Sequence, residues 1–210
     1  MRKSVVGLLV LACFLSASLW ATSLPVGGST SAFPTIDLSQ DTLLNQHCSD
    51  ETNGLTAGHL CAAVFKQQNG FLDFAYQVTN TGHDPISRIW MTDFTGFDTE
   101  LHFSTSTGGD SDFTITPPIT NPLFADRPSG STVEFFFLNP PIQLAVGTAS
   151  SIIVIRTNAT AYTSGTLNAA NGTTITDAAF APGIVPEPAS MLLVGSGLVA
   201  GILRRRLRRG

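Results

Sequence analysis

The chain has 210 residues, a net charge of −4 at pH 7 and three cysteines, which accommodates one domain with short appendages and leaves no room for a large multidomain enzyme. The charge is uneven: from Thr22 to Ile184 four basic residues stand against fourteen acidic ones, a net −10 for that stretch. Such a surface repels nucleic acid and anionic lipid.

The N-terminus opens with Arg2 and Lys3, an apolar run from Val5 to Leu15, and small or neutral residues up to Ala21. This order describes a secretory signal peptide over 1–21, read by the Sec translocon and cut by signal peptidase after Ala21. Its core is too short to span a bilayer stably, and its positive charge stays in the cytoplasm. A competing reading takes Val10-Leu11-Ala12-Cys13 as a lipobox with Cys13 acylated, at the expense of a very short apolar core. Residues 22–34, rich in Ser, Gly and Pro, are expected to form a flexible lead-in.

Residues 35–180 are rich in Thr, Ser, Gly, Asn and Phe and show no sustained 3.6-residue periodicity, which points to an all-β body. Leu60–Lys66 and Phe71–Thr79 read as a hairpin around Asn69-Gly70, where glycine supplies the positive φ of a tight turn. Leu72, Phe74, Tyr76 and Val78 alternate with Asp73, Ala75 and Gln77, so one face is inward. Further strands are expected at Ile86–Phe94, Glu100–Ser104, Thr132–Leu138, Ser151–Asn158 and Thr173–Phe180. Ile152-Ile153-Val154-Ile155 lacks alternation, as in a central strand covered on both faces. The Gly- and Pro-rich stretch from Thr105 to Gly130 is expected as long loops or edge segments. Short strands with such turns fit an antiparallel β-sandwich of immunoglobulin-like or jelly-roll outline.

Once Cys13 leaves with the signal peptide, Cys48 and Cys61 remain as an even pair in an oxidising compartment and are expected to be bonded. A metal site that adds His47 and His59 has ligand-type residues but lacks a recognisable zinc spacing.

After a linker at 181–185 the chain ends in three parts: Val185-Pro186-Glu187-Pro188, an apolar run over 189–203, and Arg204, Arg205, Arg206, Arg208 and Arg209. The prolines hold the backbone extended and open to a protease. As a helix, 189–203 would span about 22 Å at ~1.5 Å per residue, short of the ~30 Å hydrocarbon core, a deficit that snorkelling arginines and local thinning cover. The arginines stop transfer and stay cytoplasmic, so the body lies outside, held by one short transmembrane helix.

These three parts, in this order over 186–210, resemble the PEP-CTERM sorting signal. The resemblance implies that exosortase, a membrane-embedded cysteine protease, cleaves near Pro186, Glu187 and Pro188. It also implies a Gram-negative envelope, transient anchoring in the inner membrane, and delivery to the cell surface or a biofilm matrix.

The body carries no G-x-S-x-G elbow, no H-E-x-x-H, no P-loop and no dinucleotide fingerprint. His47, His59, His83 and His102 read as surface residues on loops and strand ends. Asp93, Asp98 and Glu100, with the acidic loop Gly108-Gly109-Asp110-Ser111-Asp112, offer oxygen ligands of the kind Ca²⁺ takes, but no closing Glu, so solvated carboxylates are the plainer reading and no cofactor is expected. Trp90 and Tyr162 are the aromatics available for stacking on sugar, although Trp90 sits in an apolar strand and is expected in the core. Phe135-Phe136-Phe137 is expected to be a buried central strand rather than an interaction surface. Asn158-Ala159-Thr160 and Asn171-Gly172-Thr173 match the glycosylation pattern and are assigned no role. The expectation is a non-catalytic surface or matrix protein associated with exopolysaccharide. The competing reading is a secreted carbohydrate-binding module or hydrolase, which requires paired carboxylates in a groove or a platform of exposed aromatics.

Overall fold

A computed structural model describes residues 22–110, 112–116, 118–137 and 143–184. The expected signal peptide, the expected transmembrane segment and the arginine cluster lie outside the described residues. Among the described residues, no helix is long and apolar enough to cross a membrane.

In chain order the strands are β1 (Thr22–Ser23), β2 (Ser29–Thr30), β3 (Thr35–Ile36), β4 (Thr42–Asn53), β5 (Thr56–Lys66), β6 (Leu72–Asn80), β7 (Arg88–Met91) and β8 (Thr99–Ser104). They continue as β9 (Ile119–Thr120), β10 (Phe124–Asp126), β11 (Val133–Phe136), β12 (Ala149–Ser150), β13 (Ile153–Thr157), β14 (Ala161–Asn171) and β15 (Thr173–Gly183). One sheet sets β4, β5, β6, β13 and β8 side by side, antiparallel throughout. β1 and β3 line the far side of β8, and β12 with β9 extends the sheet past the end of β13. The β3–β8 and β9–β12 pairs are parallel, so this sheet is mixed. The second sheet runs β15-β14-β7-β11-β10-β2 and is antiparallel.

Period-two alternation decides what the sheets bury. On the first sheet Leu60, Ala62 and Val64 of β5, Phe74, Tyr76 and Val78 of β6, and Ile153 and Ile155 of β13 meet Ile89, Met91, Val133, Phe135, Leu167 and Ile175 of the second. Tyr76 is fully buried and donates its hydroxyl to the Phe180 carbonyl across the sandwich. The opposite face of the first sheet is covered as well. Cys61, Ala63, Phe65, Ala75, Ile152 and Val154 pack beneath Leu38 and Phe113, so the segment around Phe113 folds back as a cover. That is why Ile152–Ile155 shows no alternation.

The hairpin from β5 to β6 forms as the sequence indicates, with Lys66 opposite Leu72 and Gly70 at φ 91°. Cys48 and Cys61 face each other in register across β4 and β5, 4.2 Å apart at Cα, and are disulfide-bonded. Reduction, or Cys48→Ser with Cys61→Ser, is expected to lower stability by about 3 kcal/mol at most, because the loop is short. Chemical denaturation with and without reductant measures it.

Three expectations are corrected. The lead-in is built into the body: Leu24 is buried, its N–H donates to the Thr99 carbonyl at 2.8 Å, and β1 and β2 join different sheets. Arg127 holds it there. This guanidinium is 4% exposed and donates to the carbonyls of Leu24, Phe94, Phe97 and Gly130 and to the Thr99 hydroxyl. The linker is also structured up to Gly183, since β15 pairs with β14 as far as Gly183 opposite Ala161. Pro182 is tolerated because β15 is an edge strand, where a missing N–H costs no ladder bond. Finally, Phe136 is only partly buried between fully buried Phe135 and Phe137, so the triplet alternates like an ordinary one-sided strand.

Candidate functional site

The outward face of the first sheet carries a charged centre where β6, β13 and β8 run together. Arg156 of β13 lies in register with Asp73 on one side and Glu100 on the other. Its Nε donates to Asp73 Oδ1 at 3.1 Å and its Nη2 to Oδ2 at 2.9 Å, a two-pronged pair. Gln67 adds an amide donor to Asp73 Oδ1, and Asp41 Oδ2 stands 4.0 Å from the same Nη2. The Asp73 side chain is 0% exposed, and burial pushes its carboxyl above the usual range, with Arg156 offsetting part of that rise. Burial also raises Asp41, and the Asp73 charge adds to the effect.

Above this centre lies a cleft of about 230 Å³ lined by Gln67, Asn69, Phe71, Asp98, Glu100 and Arg156. It opens at the end of the sandwich where β13 passes to β14 and where β15 finishes opposite Ala161. Its groups are already engaged with the protein: the Asn158 amide donates to Asp98 at 3.0 Å, and Arg156 is turned to Asp73. The arrangement suits weak polar recognition more than proton transfer.

His102 sits on the same face, two residues along β8. It is 4% exposed, and among the described residues neither ring nitrogen has a hydrogen-bond partner. The Pro34 carbonyl is close but out of hydrogen-bonding geometry, and Glu100 is 3.9 Å away. Burial, reinforced by Arg156, lowers its pKa to about 4. His102 is therefore a buried neutral imidazole rather than the surface residue expected.

The other sequence candidates separate. His47 and Cys48 are neighbours on β4 and point to opposite faces. His47 reaches Asp177 of β15 at 3.2 Å, whereas His59 pairs with Asp50 at 2.8 Å. Among the described residues, the single group of three ligand-type side chains gathered within 4.8 Å is Cys48, His59 and Cys61, and both sulfurs are committed to the disulfide. Asp110 is buried and accepts the Asp112 N–H at 2.8 Å, closing its own loop. Among the described residues, no Ser, Thr or Cys side chain hydrogen-bonds to a histidine.

Trp90, expected in the core, is on the outer face of the second sheet, because Ile89 and Met91 take the inward positions of β7. The Arg88 guanidinium lies over its ring, 4.4 Å from the centroid. Beside it, Phe124 and Phe136 stack at 4.6 Å with an interplanar angle of 11°. Tyr162 is partly exposed at the β14 edge, edge-on to Phe180 at 5.6 Å. Sequence alternation through Arg88-Ile89-Trp90-Met91 carried the signal for Trp90, and the apolar look of the strand hid it.

The described residues thus form a disulfide-bearing, two-sheet all-β domain, with its last strand running into the C-terminal segment. Residues 185–209 match the PEP-CTERM protein-sorting motif, so the chain carries that motif and is an exported protein sorted to the cell envelope through exosortase. Neither a curated protein nor a solved structure matches the chain.

Proposed function

We propose that this protein is a non-catalytic component of the cell surface or biofilm matrix, associated with exopolysaccharide and released to it when exosortase cuts the tail. The observation that carries this reading is the adjacency of a sorting motif at 185–209 to a folded domain that ends at Gly183. Ile184 is the one described residue between them, and two extended residues reach about 7 Å at most. The body therefore hangs directly on a removable anchor. Its net −10 charge keeps it soluble and off anionic membrane once released.

Processing in the native host tests the sorting step. In cells with exosortase the tail is expected to be lost and the body to appear in the surface or matrix fraction. In cells without exosortase, and for Glu187→Ala, full-length protein is expected to stay in the inner membrane. Identical processing in all three strains rejects the proposal. A six-residue Gly/Ser spacer inserted after Ile184 is expected to leave processing intact or speed it, as read from the rate of tail loss.

A carbohydrate-binding role within that matrix has its own support in the aromatic face of the second sheet.

A further inference from the structure

We infer that the outer face of the second sheet is a binding platform for an uncharged polysaccharide chain, with Trp90, Phe124 and Phe136 as stacking surfaces and Asp126, Glu134 and Arg88 as hydroxyl partners. This rests on the proposed matrix association and names the face responsible for it.

The register lays these side chains out in two rows. Asp126, Glu134, Trp90 and Asn168 follow one another across β10, β11, β7 and β14, and Phe124, Phe136 and Arg88 form the adjacent row. All of them point away from the core, since Ala125, Val133, Phe135, Ile89 and Met91 occupy the inward positions. Trp90, Phe124 and Phe136 are each partly buried, with some ring surface left to solvent. Phe124 and Phe136 are nearly parallel and stacked face on face at 4.6 Å, so each covers one face of the other and the pair acts as one block. Arg88 bonds to Glu134 at 3.2 Å while its side chain stays 40% exposed, so it has donors left over. Asp126 Oδ1 is buried within the face and has no hydrogen-bond partner among the described residues, and burial raises this carboxyl above its usual range.

The chemistry selects the occupant. A purely apolar partner would cover Asp126, Glu134 and Arg88 without satisfying them, at the cost of each unpaired polar group. A second copy docked face to face would bring two sets of carboxylates together. A polyanionic glycan or nucleic acid meets a body with net charge −10. A neutral polysaccharide offers what remains: C–H faces that lie flat on aromatic rings, and hydroxyls that donate to Asp126 and accept from Arg88.

In a Trp20→Phe chain, Trp90 is the only tryptophan, so its emission reports on this face alone. The full-length protein in detergent is titrated with α-1,4- and β-1,4-linked glucose hexamers and with the neutral fraction of the host's own exopolysaccharide, with polygalacturonate as the anionic control. At least one neutral probe is expected to give a saturable shift of Trp90 emission and to retard the protein in native gels containing it, while polygalacturonate does neither. Asp126→Ala, and separately Phe124→Ala with Phe136→Ala, are expected to weaken that binding by about tenfold or more. Unchanged far-UV circular dichroism and tail processing guard against simple misfolding. Retention on polysaccharide that survives both variants overturns the face and leaves matrix association standing. Absence of retention and of any emission shift with every neutral probe overturns both.

Discussion

Replacement of Arg156 by methionine is expected to destabilise the domain by about 3–5 kcal/mol at pH 7, which lowers the thermal midpoint by about 10 °C. The reason is the carboxylate left behind. Asp73 has a fully buried side chain, and its charge is tolerated because Arg156 grips both oxygens while Gln67 adds a third donor. Without the guanidinium, burial raises the Asp73 pKa further. A carboxylate whose folded pKa lies above its unfolded value of about 3.9 penalises folding increasingly as pH rises between the two. The deficit of the Arg156→Met chain should therefore be full at neutral pH and shrink as pH falls through the raised folded pKa. Adding Asp73→Asn should recover most of the loss at pH 7. Urea melts of the parent, single and double variants at pH 7 and pH 4 decide this; a single variant equally destabilised at both pH values rejects it.

His102→Leu is expected to remove an acid-sensitive part of the stability worth about 3 kcal/mol, the equivalent of lowering an imidazole from 6.5 to about 4 at 1.36 kcal/mol per unit. With the folded pKa depressed, the unfolded chain binds the proton first. The contribution is present above pH 6.5 and is lost as pH falls from there through about 4. Asp41, Asp73 and Asp110, all raised by burial, work in the opposite direction, so the parent's own slope is shallower than His102 alone would make it. The difference between parent and variant isolates the histidine. At neutral pH the variant should match or exceed the parent, because two unpartnered ring nitrogens give way to hydrocarbon. Equal slopes in denaturant melts from pH 7 to pH 4 would count against a buried neutral His102.

Several elements are legible in the sequence because they are local. The β5–β6 hairpin is written in alternation and an Asn-Gly turn, the doubly covered β13 in an unbroken apolar run, and the disulfide in the count of cysteines left outside the cytoplasm. The sorting motif is legible for the same reason: it is a contiguous string matched in order. Two long strands were not. β4 is polar on both sides because it is an edge strand held by backbone bonds and the disulfide. Six of the eleven residues of β14 are Ala, Asn or Gly, which have low strand preference. Gly165 there has no side chain because one would press into Ala181 of β15, a constraint visible only once the two strands are paired.

What the amino-acid order determined is the itinerary and the fold class: an exported, acidic, all-β body with a short sorting tail. What the tertiary structure decided is where that body begins and ends and which side chains it displays. Arg127 ties in Leu24 from 103 residues away, β14 captures the last residues before the tail, and sheet pairing brings Phe124 and Phe136 to the face that carries Trp90. Each of these depends on a partner distant in the chain, and composition and periodicity report only on neighbours.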